Sequence, residues 1–83
     1  MVDKVEDTGF SRWLKSFMKQ HKIRQYQLAE RAGVHDNIIQ GYRSGRNMPN
    51  LYNAAIVATA LHQLTGISRA EILDLMAAAA LQD

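Results

Sequence analysis

The chain of 83 residues has no cysteine. That excludes a disulfide framework, a thiolate-held metal and a cysteine nucleophile, and it fits a reducing compartment. Proline occurs once, at Pro49, in a stretch that reads as a loop. Long apolar runs are missing. The two longest, residues 54–58 and 75–81, fall far short of the roughly 18 residues of a membrane span. The first ten residues mix charges around no apolar centre and do not read as a signal peptide. A soluble, cytoplasmic chain without a membrane partner is therefore expected. An excess of one charge is also missing: the formal net charge is +2, too small as a total to point to a polyanion. There is no internal repeat. What is present is a hydrophobic fraction of 47% and a charged fraction of 22%, the balance of a folded chain rather than a disordered one. The length suits one small domain with one core.

The organisation reads as a flexible tail over residues 1–9 followed by one helical domain over 10–83. Phe10, Trp13, Leu14, Phe17 and Met18 recur at one face of a helix expected over 10–21, and core packing explains that stripe. A short helix is expected over 25–32, with Leu28, Ala29 and Ala32 inward and Gly33 where a left-handed C-terminal residue is favoured. Val34 follows as an apolar plug. A third helix is expected over 36–44, with Ile39 and Tyr42 inward, ended by Gly45. After the loop around Pro49, Asn50 is a suitable N-cap for a helix over 51–63. That helix is apolar nearly all round, so it is expected at the centre of the core. Thr65-Gly66 stops it. The last helix, 68–80, carries the strongest start signal: Ser68 and Glu71 make a capping box, and Ile67 and Ile72 occupy the staple positions. No segment alternates with period two. The expected fold class is all-α, a compact bundle of about five helices.

Two short helices joined by a glycine turn outline a helix-turn-helix. The surrounding residues make the outline specific: Gln25, Leu28-Ala29-Glu30, Ala32-Gly33-Val34, Ile39, Gly45 and Pro49. This spacing resembles the Cro/lambda-repressor-like helix-turn-helix family, without insertion from Gln25 to Pro49. The resemblance spans about residues 10–75 and implies a lambda-repressor-like DNA-binding fold. It implies a sequence-specific transcriptional regulator, most readily a repressor, bound to double-stranded operator DNA. Helix 25–32 would cross the DNA backbone, and the helix beginning near His35 or Asp36 would lie in the major groove. Small proteins of this family bind palindromes as homodimers, and some work with a modulating protein partner.

The same resemblance assigns candidate contacts. Gln25 matches a residue that holds a phosphate at a helix N-terminus, where free N–H groups favour anions. Lys22 and Arg24, with Lys19, flank it. Asn37 and Gln40 can each pair bidentately with adenine, Ile38 suits a thymine methyl, and Asp36 can accept from cytosine N4. Asp36 also reads as the helix cap, and of the two uses capping is the one favoured. His35 reads either as a phosphate contact or as a surface residue. Gly41 falls at a position that often touches DNA, where glycine lets DNA or another backbone come close. Arg43, Arg46 and Asn47 form the expected phosphate grip at the end of the recognition helix. Departures from the family pattern are His35 for Ser or Thr, Ile38, Arg24 for a capping residue, Gly41, and Arg43 where Glu is common. The operator cannot be carried over from a relative. Tyr42 is expected in the core with its hydroxyl outward, and Tyr26 exposed.

Nothing indicates an enzyme. His21, His35 and His62 lack metal-ligand spacing, Glu71 and Asp74 stand without a third partner, and no nucleotide-loop or nucleophile-elbow motif occurs. No cofactor and no metal are expected. The apolar surface of the last helix, Ile72, Leu75, Met76 and Ala79 with Leu73 and Leu81, is the expected dimer interface. The alternative to a DNA-bound regulator is a protein-interaction module on the same fold. Charge distribution favours the first. Residues 1–9 carry net −2, residues 10–46 net +6 and residues 47–83 net −2. The positive charge is concentrated where the resemblance places DNA.

Overall fold

A computed structural model describes residues 7–82 of the protein. The described residues form five helices: α1 (Gly9–Gln20), α2 (Gln25–Ala32), α3 (Asp36–Ser44), α4 (Leu51–Thr65) and α5 (Arg69–Ala80). The first six positions of the expected tail lie outside the described residues. Its last residues belong to α1: Thr8 is the N-cap, and Gly9 already lies in the helix. The Ser11 N–H donates to Thr8 Oγ1 at 3.0 Å, and the Thr8 N–H donates to Ser11 Oγ at 2.8 Å. This reciprocal box satisfies two orphan donors. It sits in the local pattern T-G-F-S, which the hydrophobic periodicity alone does not mark.

α1 rests on α3 and α5, α4 rests on α2 and α5, and α2 rests on α3. Each helix sends its inward stripe to one shared core. Phe10, Leu14, Phe17 and Met18 enter from α1, Leu28 and Ala29 from α2, and Ile39 and Tyr42 from α3. Val57, Ala58, Ala60 and Leu61 enter from α4, and Ile72 and Met76 from α5. Aromatic rings order one side of it. The Phe10 ring meets Tyr42 edge-on at 6.2 Å, and Trp13 lies between Phe10 and Phe17 at 5.9 and 5.1 Å. Burial raises the Tyr42 phenol above its ordinary pKa, and a hydrogen bond with the Asn53 side chain partly offsets that rise.

Two expectations about the far helices are corrected. α4 is not surrounded. Its Val57–Leu61 side is buried, but Leu51 is 84% and Tyr52 73% exposed, because no other element among the described residues covers the outer face of its first turns. α5 is the reverse. Ile72, Met76 and Ala79, expected to form a dimer surface, are only 0%, 5% and 6% exposed. They face α1 and α4 and complete the monomer's own core. Of the expected surface only Leu75 and the terminal Leu81 are exposed.

The connections are short and capped. Gly33 adopts φ +75° and ends α2, while the Val34 N–H reaches back to the Ala29 carbonyl at 3.0 Å. The same closure ends α1, where the Ile23 N–H donates to the Met18 carbonyl at 2.8 Å. There the left-handed position is held by Lys22, at φ +57°. A side chain with a Cβ is strained in that region. Lys22→Gly is therefore expected to stabilise the protein by about 0.5–1 kcal/mol, after allowing for the freer unfolded glycine chain. A thermal melt should show a midpoint several degrees higher, and an unchanged or lower midpoint would contradict the assigned strain.

Candidate nucleic-acid interface

α2 and α3 cross through the turn at Gly33-Val34, with Leu28, Ala29, Ile39 and Tyr42 directed inward. At 100° per residue, the direction opposite Ile39 and Tyr42 falls to Asn37 and Gln40, with Asp36 on the flank that carries Arg43. All three are exposed. Ile38 lies on the flank between this arc and the core and is exposed as well. Asn37 and Gln40 thus present amide groups, each with a donor and an acceptor, away from the protein.

The start of α3 differs from expectation. The cap is His35, whose Nδ1 accepts from the Asn37 N–H at 3.1 Å. Asp36 is not the cap but the first helical residue, so its carboxylate is free to turn sideways. It accepts from Gln25 Nε2 at 2.9 Å, and Arg43 donates from its guanidinium to Gln25 Oε1 at 2.9 Å. Gln25 is thereby clamped between the first and last turns of α3. The side chain expected to hold a phosphate is held here by α3. Around it, the N–H groups of Gln25 and Tyr26 precede the ladder of α2, which begins where Gln27 and Leu28 donate to the Arg24 carbonyl, and with Arg24 beside them the combination suits an anion. Arg24 itself has no acceptor and cannot cap. Gln27 serves instead, taking the Arg24 N–H on Oε1 at 2.8 Å.

The expected trio at the end of α3 is split. Arg43 turns toward α2, and its Nε is buried without a hydrogen-bond partner among the described residues. Two residues earlier is about 200° round the helix, and there Arg46 and Asn47 fold back over Gly41. The Asn47 N–H donates to the Gly41 carbonyl at 3.2 Å. Ser44 Oγ donates to that carbonyl at 3.2 Å and accepts from the Arg46 N–H at 3.3 Å. Gly41 is buried, not displayed to a groove. A Cβ there would overlap Asn47 Nδ2 and come within 3.2 Å of Asn47 Cγ and 3.4 Å of a terminal nitrogen of Arg46. The missing side chain is a socket for the loop, so the close approach anticipated at Gly41 is made by this loop.

Lys19, Lys22, Arg24 and Arg46 are exposed, and His35 is exposed at the α3 N-terminus. Tyr26 is exposed beside Gln25. Lys15, by contrast, is bound to Asp7 at 3.0 Å. Among the described residues no group of His, Asp and Glu is arranged to hold a metal ion. No helix among them is long and apolar enough to cross a membrane.

The socket at Gly41 leads to a separable prediction. Gly41→Ala gains up to about 1 kcal/mol of helix propensity, and the Asn47 amide, at the end of a side chain, can swing away. Thermal stability is expected to hold or rise while Arg46 and Asn47 lose their placement. Affinity for non-specific duplex DNA at low salt should then fall several-fold. A large loss of stability, or unchanged affinity, would contradict the socket.

Searches of curated proteins and of solved structures each found no match. A family model described as helix-turn-helix matches residues 14–63, from the middle of α1 to near the end of α4. It spans both crossed helices, the capped turn at Gly33 and the loop seated on Gly41. The protein belongs to the Cro/C1-type helix-turn-helix family of DNA-binding transcription regulators.

Proposed function

We propose that the protein is a repressor that binds a palindromic operator as a homodimer, with α3 in the major groove. The carrying observation is the outward arc of α3. Asn37 and Gln40 stand exposed there as uncharged amides, and they lie within the chain's basic stretch, net +6 over residues 10–46. Amides of this kind pair with adenine edges, and flanking cations hold phosphates without reading sequence. Asn37, Gln40 and Ile38 are the proposed readers. Asp36 is held by Gln25 and serves more to set that side chain than to seek cytosine. Lys22, Arg24, Arg46 and Asn47 are the proposed phosphate contacts, with His35 and the α2 N-terminus beside Gln25. Gln25 and Arg43 position the two helices against each other. Repression would be steric: an occupied operator excludes polymerase. Half-sites about one helical turn apart, roughly 34 Å, are the spacing such dimers require.

Reader and anchor have different signatures. Asn37→Ala is expected to change preference at one base position by about 1–3 kcal/mol, seen by selecting bound sequences from a random DNA pool. Arg46→Ala should weaken binding to every sequence alike and reduce the log–log salt slope by about one unit in mobility-shift titrations. Identical behaviour of the two variants would refute the assignment. Absence of any DNA binding by the unmodified protein at low salt would refute the function itself and favour a protein-interaction role.

A further inference from the structure

No Asp, Glu, Lys or Arg occurs between Arg46 and Arg69, a run of 22 residues that contains the whole of α4. A surface helix ordinarily places charge on its solvent side. α4 places leucine and tyrosine there. Leu51, Tyr52, Ala55 and Ile56, at i, i+1, i+4 and i+5, form one outward stripe over its first two turns. Leu51 and Tyr52 are almost fully exposed, and Ala55 and Ile56 are partly so. Met48, also exposed, extends the stripe into the preceding loop. A shallow groove lies on each side. One, of about 330 Å³, runs between Tyr52, Ile56 and α2. The other, of about 310 Å³, runs between Leu51, Ala54 and the Met76–Ala80 side of α5. Toward the C-terminal half of α4 the outward positions turn polar, at Thr59, His62 and Gln63.

We infer that this stripe is the contact with a second copy of the chain, α4 against α4 in antiparallel register about a two-fold axis. The inference rests on the homodimer reading above and names its surface. Charge is the deciding argument. In an isologous contact each side chain near the axis meets its own copy, so an ionised group there would face its like. A face without charge is what such a contact tolerates, and it offers no cation to a phosphate backbone and no ion-pair partner to a charged segment. Shape agrees. A protruding Leu51 and Tyr52 beside two grooves are a knob and its receptor on one surface, which a two-fold operation brings together twice. Ala55, at the centre of the stripe, lets the two helices approach closely. Arg31 lies at the margin, lining the groove beside Tyr52, as polar and charged residues do at interface rims. The contact adjoins the loop seated on Gly41, so the partner and the phosphate anchors are joined through a short, braced connection.

The absence of cysteine makes the test direct. Single-cysteine variants Ala55→Cys on the stripe and Ala78→Cys on the exposed side of α5 are treated with a short bis-maleimide, and the unmodified chain is followed by sedimentation from micromolar to millimolar concentration. The expected result is a reversible dimer, efficient cross-linking at position 55 and at least tenfold less at position 78. Leu51→Glu with Tyr52→Glu should weaken association at least tenfold, with the circular dichroism spectrum and melting midpoint unchanged. Cross-linking favoured at position 78, association indifferent to the double glutamate variant, or a strictly monomeric chain at millimolar concentration would each overturn the proposal. Binding of a single half-site by the double variant separates the two readings. If it is retained, DNA recognition stands whatever becomes of the α4 contact; if DNA binding is absent in the unmodified chain, the functional reading fails instead.

Discussion

α2 has eight residues and α3 nine, and helices this short do not persist alone in water. Everything the protein presents to a partner depends on their being held by the core. Leu28, Ala29, Ile39 and Tyr42 hold them, locked against Phe10 and Leu14 of α1 and against Val57 and Leu61 of α4. Truncating one fully buried leucine or isoleucine costs about 2–5 kcal/mol, a large part of the roughly 5–15 kcal/mol that a domain possesses. The angle between the two helices is therefore set by apolar packing. The surface groups act on a scaffold already made.

The polar contacts then refine the reading surface. Gln25 joins both ends of α3 through Asp36 and Arg43, and the loop after α3 is drawn onto Gly41 through Asn47, Ser44 and a shared carbonyl. Each such bond contributes only about 0.5–1.5 kcal/mol. Their effect is to restrict side chains: Gln25 and Arg43 are held between the helices, Arg46 and Asn47 are gathered on the opposite flank, and Asn37 and Gln40 are left exposed between them. A cation placed by a braced loop loses less freedom on meeting a phosphate than one on an open loop.

The helices were legible because periodicity and glycine stops are local signals. The inward residues of α1, α2 and α3, the Asn50 cap and the left-handed glycine after α2 could each be read from neighbours in the chain. The two caps least visible in the sequence were Thr8 and His35. A cap depends on the backbone torsion of one residue and on one N–H within reach, and histidine is a rare choice. Gln25–Asp36 and Arg43–Gln25 span eleven and eighteen residues. No spacing rule reports such pairs, so Asp36 looked like a cap and Arg43 like a phosphate contact. The sequence marks Gly41 as a point of close approach, but the path of the following loop decides what approaches it.

The far helices mark the same boundary. An apolar pattern states that a face must be covered and leaves open by what. α4 is apolar nearly all round, and α5 has more apolar positions than a terminal helix requires; on pattern alone the first belongs in the core and the second at an interface. Packing reverses the emphasis, because α5 spends Ile72, Met76 and Ala79 on α1 and α4 while the described residues leave Leu51 and Tyr52 largely exposed. By itself the sequence determined the five helices, the helix-turn-helix spacing from Gln25 to Pro49 and the concentration of positive charge in residues 10–46, since each follows from residue type and short-range order. Only the tertiary structure decided which polar side chains pair, which apolar face stays open and which cations are gathered, since those depend on elements far apart in the chain meeting at a particular angle.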